Sequence, residues 1–372
     1  MRPRSSSPAN AAGRVFATRP DGKRLRRDRA RRPELTSRRG GWRRVGRKKP
    51  FRYLDSRGAR IADEASLGRI DALVIPPAWR DVWISPNASA RLQATGVDAA
   101  GRRQYLYHPK YREERERAKF DRLVRFGELL PALREQVAAD LELGPYARGW
   151  TCAVAVTLVN RGWFRVGSER STRSSRTYGI TTLTKRHVSV RGRRVSFRFR
   201  AKHQVLVRTT LVDEELAEAV RALVHLDGGS RLLRFEREGE PANLTAAALN
   251  AYISQYLGED FTAKDFRTWG GTLAAAVALA EHGPPGPTTD ERRVLAAVMR
   301  HVGSELGNTA AVARDSYVSP AVVEQWRDGR TLEQYRDRAA RVVSVRNGGL
   351  REEEAALVSL LRSWRVRRAN GR

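Results

Sequence analysis

The sequence predicts an α+β protein, with a small β-rich N-terminal domain and a larger, mainly α-helical domain that carries a three-stranded β insert. Three observations predict it. Short apolar runs separated by turn residues fill positions 49–112. Apolar residues at helical spacing dominate from Tyr111 onward. Within that helical region, His187 to Phe199 reverts to period-2 alternation. The 372 residues suit two domains, or three if one is small, and an apolar content of 41% is enough to bury real cores.

Residues 1–48 precede both domains as a basic arm. Positions 1–50 hold 18 Lys/Arg against Asp21, Asp28 and Glu34, so they contribute +15 of the chain's +30. With few large apolar residues, the arm is expected to be disordered, either simply solvated or touching phosphates nonspecifically. Met1 to Arg14 lacks the apolar segment of a secretory signal. It shares Arg and Ser with organelle transit peptides, but a basic tail is the reading adopted.

In the β domain, 49–112, strands are expected at 51–54, 72–75, 82–84, 91–95 and 104–107, with a short helix at 63–70. Asp55-Ser-Arg-Gly58, Pro76-Pro77, Ser85-Pro86 and Asp98-Ala-Ala-Gly101 supply the turns. The second domain spans 113–345. Its first helices are expected at 111–130, from Pro131 to about Leu143, and at 150–160. The β insert is expected at 178–183, 187–190 and 195–199, with Arg191-Gly-Arg-Arg194 as a turn. Helices follow at 213–225, 242–257, 263–282, 288–306 and 309–317, and 346–372 reads as a C-terminal helical extension.

Charge narrows the function. Lys and Arg number 71 against 41 Asp and Glu. A field of that size draws polyanions, and the cations are mostly Arg, whose planar fork pairs with phosphate. No run of 18 apolar residues appears, and no long basic amphipathic helix with an aromatic apolar face, so a membrane partner is not expected. The single cysteine, Cys152, makes neither an intrachain disulfide nor a zinc site. It reads as a small buried hydrophobe, which a reducing cytoplasm suits.

Several polar residues sit beside turns or element ends. Arg165 lies between Gly162-Trp-Phe164 and Val166-Gly167. Lys202 falls just past the strand ending near Arg200. Lys264 and Arg267 are one helical turn apart and share a face. Leu306-Gly-Asn-Thr309 leads to Tyr317. Each alone has an ordinary reading. Arg165 and Lys202 read as surface cations, Tyr317 as half-buried packing, Asn308 as a helix stop or N-cap, and Tyr105 and Tyr107 as sheet packing.

Jointly they resemble the type IB DNA topoisomerases of the poxvirus and bacterial kind. The matching stretches are Phe164-Arg-Val-Gly167, Tyr178-Gly-Ile-Thr-Thr-Leu183, Ala201-Lys202, Lys264-Asp-Phe-Arg-Thr-Trp-Gly270, Gly307-Asn-Thr309 and Ser316-Tyr317, with Gln104-Tyr-Leu-Tyr107 in the first domain. Arg165 to Lys202 is 37 residues and Asn308 to Tyr317 is nine, as in the family. The resemblance covers about 50 to 340 and rests on order and spacing, not on any one motif. It implies a C-shaped clamp around duplex DNA. It implies Tyr317 as the nucleophile of a 3′-phosphotyrosyl intermediate, with Arg165, Arg267 and Asn308 on the nonbridging oxygens. Lys202 would be the acid that protonates the leaving 5′-oxygen. Gln104, Tyr105 and Tyr107 would lie in the major groove, and Lys264 would contact DNA. Further implications are a monomer in the cytoplasm, on the bacterial nucleoid, with no cofactor, no metal and no ATP.

The chemistry supports those roles. Charge builds on phosphate oxygens in the transition state, where two guanidiniums and an amide stabilise it. An alkoxide leaving group needs a proton, and a tyrosyl phosphoester stores the bond energy for resealing. The chain has no GxxxxGK[ST] loop, no paired Cys/His ligands and no dense acidic cluster. Poxvirus relatives carry His where this chain has Asn308, which predicts a flatter pH dependence here. Ala313-Arg-Asp-Ser316 and Ser171-Thr-Arg-Ser-Ser-Arg176 also depart from the family's patterns. Two rivals stand beside this reading. A tyrosine recombinase shares the Arg…Arg…Tyr scheme, although such enzymes typically show His-x-x-Arg where this chain has Lys264-x-x-Arg267. A nonenzymatic nucleoid protein explains the charge but not the ordered motifs.

Overall fold

The computed structural model describes residues 40–46, 50–340 and 350–370. The chain divides into two units between Arg117 and Ala118. In the first, β1 (Trp42–Val45), β2 (Arg52–Leu54), β3 (Arg80–Ile84), β4 (Leu92–Val97) and β5 (Arg103–Tyr107) form an antiparallel sheet in the order β2-β1-β3-β4-β5. The helix α1 (Glu64–Ala72) starts at Asp63, whose carboxylate accepts the Ser66 N–H at 2.8 Å. Ile61, Ile70, Val82, Ile84 and Ala94 are the core.

Two expectations are corrected here. Residues 42–45, assigned to the basic arm, form β1. Trp42 packs on the core, and Arg44 donates to the Pro76 carbonyl at 3.2 Å with its guanidinium 4.2 Å from the Phe51 ring. The arm's residues 1–39, 47 and 48 lie outside the described residues. The strand expected at 72–75 is instead the end of α1 and a turn. Val74 adopts φ +48 and is 80% exposed, so the apolar Leu73-Val-Ile75 run does not extend.

The second unit opens with α2 (Pro109–Asp121), which crosses the division, and α3 (Leu123–Leu141). Pro131 was expected to begin a new helix, yet α3 runs through it. A proline there removes one N–H and opposes the preceding turn. The buried face of Val124, Phe126, Leu130, Leu133 and Val137 offsets that cost by packing against its neighbours. Among those neighbours, α4 (Arg148–Gly162) is buried along most of its length, Cys152 included. A short α5 (Glu169–Ser175) comes next.

The β insert is antiparallel, in the order β6 (Val188–Arg191), β7 (Arg194–Arg200) and β8 (Leu206–Val212). Its apolar face, with Val195, Phe197 and Phe199, carries α6 (Glu214–His225), which buries Leu216, Ala217, Val220 and Leu223 at helical spacing. The expected strand at 178–183 is a buried 3₁₀ turn at Ile180–Thr182. The third strand is β8, where β-branched residues alternate over Leu206 to Val212. A hairpin of β9 (Arg234–Arg237) and β10 (Glu240–Asn243) takes the start of the helix expected at 242–257, leaving α7 at Ala246–Leu257.

The remaining helices are α8 (Ala263–His282), α9 (Glu291–Glu305), α10 (Ala310–Ser316), α11 (Pro320–Arg327), α12 (Glu333–Ala340) and α13 (Glu352–Ala369). Buried residues Ala355, Ala356, Leu357, Val358, Leu360 and Leu361 pack α13 onto α3, α8 and α11. The expected C-terminal extension is therefore part of the second unit's core.

Candidate active site

α4 ends at Trp163, which takes the left-handed conformation at φ 47. The chain then runs extended through Phe164, which packs on Phe197 and Phe199 with ring centroids 5.0 and 5.9 Å away. This delivers Arg165. Its carbonyl accepts the Ile180 N–H at 2.8 Å, and the next carbonyl, of Val166, accepts the Thr181 N–H at 2.9 Å. Gly167, at φ +88, and Gly179 make this crossing possible. A Cβ on Gly179 would lie 2.4 Å from the Gly167 nitrogen, so only glycine fits. The Tyr178 N–H donates to the Arg200 carbonyl at 2.8 Å. The Tyr178–Leu183 motif thus ties the Arg165 segment to the end of β7.

Lys202 follows directly, in the turn between β7 and β8. Next to it, His203 and Gln204 take φ 61 and 60, a left-handed pair without glycine that costs about 1–2 kcal/mol per residue. Gln204 Nε2 donates to the Ser175 carbonyl at 2.7 Å and holds the turn. Lys202 itself is exposed and has no hydrogen-bond or ion-pair partner among the described residues.

The N-terminus of α8 is a capping box, with the Thr262 N–H donating to Asp265 Oδ2 at 2.8 Å. Lys264 is exposed on the first turn. Arg267, one turn on, is 4% exposed. It donates to the carbonyls of Trp163 and Leu306, the latter at 2.7 Å, and its buried Nε has no partner among the described residues. Its guanidinium carbon lies 5.0 Å from the centroid of the Tyr317 ring.

Between α9 and α10, Gly307 at φ +59 turns the chain and Thr309 caps α10. The Asn308 N–H donates to the Gly303 carbonyl at 2.7 Å. Its Oδ1 accepts from Arg165 at 2.5 Å, and its Nδ2 reaches the Leu306 carbonyl at 3.3 Å. Tyr317 ends α10 and is 8% exposed. Its N–H donates to the Ala313 carbonyl at 3.0 Å, and its carbonyl accepts from Thr272 Oγ1 at 3.0 Å. Burial pushes the phenol's pKa up. The charge of Arg267, then those of Arg165 and Lys264, outweigh burial and hold it below the ordinary 10.0.

All six residues, Arg165, Lys202, Lys264, Arg267, Asn308 and Tyr317, line one open cavity of about 930 Å³. Four cations and a phenol shifted toward its ionised form suit a substrate that presents a phosphodiester. Arg267 is itself lowered, first by burial and then by neighbouring Arg165 against the opposing effect of Tyr317, but a guanidinium stays charged.

The three first-domain residues lie on β5, an edge strand of the other unit. Tyr105 and Tyr107 stack with centroids 6.2 Å apart, and Tyr107 meets Tyr111 at 5.4 Å. Gln104 alternates to the opposite face, where its amide donates to Asp98 at 2.8 Å. Backbone and Arg102 contacts with Gln104's help hold Asp98 at about 2. Sequence reasoning missed three supports of the cavity: the Trp163 carbonyl, Thr272, and Lys119, whose Nζ donates to the Ser316 carbonyl at 2.9 Å. Only Trp163 had a signal, as part of the Gly162-Trp-Phe164 run.

The catalytic-core model of eukaryotic DNA topoisomerase I matches residues 108–341, and the N-terminal domain model of bacterial DNA topoisomerase IB matches residues 50–98. The chain is 29% identical over 269 residues to DNA topoisomerase 1B of Acanthamoeba polyphaga mimivirus, covering 70% of this chain and 80% of that protein. It is 20% identical over 265 residues to DNA topoisomerase I of monkeypox virus and to DNA topoisomerase 1B of vaccinia virus, covering 71% of this chain and 79% of each.

Proposed function

The chain belongs to the type IB DNA topoisomerases, and from that premise we propose that it relaxes supercoiled duplex DNA through a nick made and resealed at Tyr317. The observation that carries the assignment is the buried phenol under the Arg267 guanidinium, in a cavity that Arg165, Lys202 and Asn308 also line. Tyr317 Oη attacks the scissile phosphorus, and its proton leaves to water in the open cavity. As the Oη–P bond forms, the bond from phosphorus to the 5′-oxygen breaks, and Lys202 Nζ gives that oxygen its proton. Arg165 and Arg267 hold the nonbridging oxygens as charge builds on them. Asn308 orients Arg165 through Oδ1 and offers an amide proton to the same oxygens. Resealing reverses each step, with Lys202 taking the proton back and Tyr317 leaving.

Duplex DNA is the partner that the family implies. We read the protein as a monomer whose two units close around the duplex as a C-shaped clamp, with Tyr105 and Tyr107 toward the major groove and Lys264 on phosphate. We expect it to act at the bacterial nucleoid because its substrate would be chromosomal DNA, and no helix among the described residues is long and apolar enough to cross a membrane. The test is relaxation of supercoiled plasmid with EDTA present and ATP absent, alongside trapping of a covalent DNA–protein adduct in detergent. Wild type is expected to relax both signs of supercoil and form the adduct, and Tyr317→Phe to do neither. An adduct that persists in Tyr317→Phe overturns the assignment.

A further inference from the structure

One surface outside the cavity is built for a polyanion. The β6–β8 sheet buries one face, and its solvent face carries exposed Arg191, Arg194, Arg198, Arg200 and Arg208. The register sets Arg191 opposite Arg194 and Arg198 opposite Arg208. Like charges directly opposite each other on one face destabilise a sheet. None of the five pairs with a carboxylate among the described residues, since the ion pairs of this unit lie elsewhere. Between the arginine pairs sit Ser196 and Thr210, whose hydroxyls hydrogen-bond at 2.9 Å. Arginine forks with interspersed hydroxyls are the groups that bind phosphate backbones without reading bases. The surface is also continuous with the cavity, because Arg208 and Lys202 both line it.

We infer that this sheet face is a phosphate-binding track for the duplex arm that carries the released 5′-hydroxyl; the inference rests on Lys202 acting at the leaving oxygen. The track begins at the Lys202 turn and runs away from it along β7. The six residue steps from Arg200 to Arg194 span about 20 Å, which is about six base pairs at about 3.4 Å each. Along this track the arm is gripped through its phosphates by groups that do not read bases.

The experiment measures binding of the full chain carrying Tyr317→Phe, so that no covalent step intervenes, as a function of salt. Two duplexes are compared, ending about two and about twelve base pairs beyond the scissile phosphate on the 5′-hydroxyl side. Each phosphate neutralised contributes about 0.9 to the slope of log affinity against log salt. The triple change Arg191→Gln, Arg194→Gln and Arg198→Gln is expected to flatten the slope by about 2–3 on the long duplex and leave it unchanged on the short one. The corresponding triple Lys variant, which keeps the charge, is expected to restore most of the slope. Equal flattening on both duplexes, or an unaltered gain from the longer arm, overturns the track. A separate arm asks whether the chain with Tyr317 intact forms the covalent adduct on the short duplex. If it does not, the reading of the site fails, whatever the salt slopes show.

Discussion

Glu354 offers the sharpest test of how α13 contributes to the fold. Its carboxylate is buried and receives both terminal nitrogens of Arg134 at 2.8 Å, the Arg351 N–H at 3.0 Å and Trp269 Nε1 at 3.3 Å. Burial pushes its pKa up. The hydrogen bonds and charge of Arg134, helped by Arg351, overcome that and set it at about 2 in place of the ordinary 4.5. A tenfold change in proton affinity is worth about 1.4 kcal/mol, so the ionised form favours the folded state by roughly 3 kcal/mol at neutral pH. The pKa is lower in the folded chain. The contribution is therefore complete above about pH 4.5 and is lost as pH falls from there through about 2. Glu354→Gln removes the charge and leaves Arg134 without its partner. We expect a loss of about 3 kcal/mol in urea unfolding at pH 7, narrowing below about pH 4. Replacing the pair together, with Arg134→Met and Glu354→Leu, is expected to recover most of the loss. A loss below about 1 kcal/mol, or a gap that does not change with pH, refutes the reasoning.

Other expectations concern the cavity. Lys202→Ala is expected to slow cleavage by about 10²–10⁴-fold, and a sulfur at the leaving 5′ position should restore most of the rate because a thiolate departs without a proton. Arg267→Ala should slow cleavage and religation alike by about 10²–10³-fold. It should also move the rising limb of the cleavage pH profile to higher pH, because the guanidinium that keeps the Tyr317 phenol below its ordinary value is gone; an unmoved limb would count against that pairing. Gly179→Ala puts a Cβ 2.4 Å from the Gly167 backbone, so single-turnover cleavage should fall by about 10²-fold or more as the Arg165 segment is displaced. Plasmid binding measured in parallel separates that loss from a loss of DNA affinity.

Much of this was legible from residue pattern alone. The segments that became α6 and α9 show apolar residues at helical spacing because each buries one face. The long apolar stretches that became α4 and α8 are buried on most sides, and the ends of all four fall within a few residues of expectation. The apolar run at Leu73-Val-Ile75 misled because nothing in the run announces that Val74 turns left-handed. The Tyr178–Leu183 segment alternates like a strand, yet the crossing of Gly167 against Gly179 bends it into a turn. In the cavity, the six side chains were legible by motif and spacing. Their seats were not, since the carbonyls of Trp163 and Leu306 that hold Arg267 belong to the backbone and leave no mark on residue identity. Gln104 is the reverse case. Period-2 alternation already places it across the strand from Tyr105 and Tyr107, so all three do not share one face of the sheet.

Tyr317 is fastened on both sides of its own Cα, through its N–H to Ala313 and its carbonyl to Thr272, while Gly271 approaches so closely that a Cβ there would lie 3.0 Å from Tyr317 Cβ. Only two side-chain torsions remain between this fixed frame and the phenolic oxygen. On the mechanism proposed for Tyr317, a DNA end joined to that oxygen would swing on a short lever from this fixed frame. However far the opposite arm turned, the severed phosphate would then stay at nearly the same address, and the returning hydroxyl would meet it as an intramolecular neighbour at high effective concentration. On that mechanism, the stiffness of this frame is what would make a broken strand a temporary state.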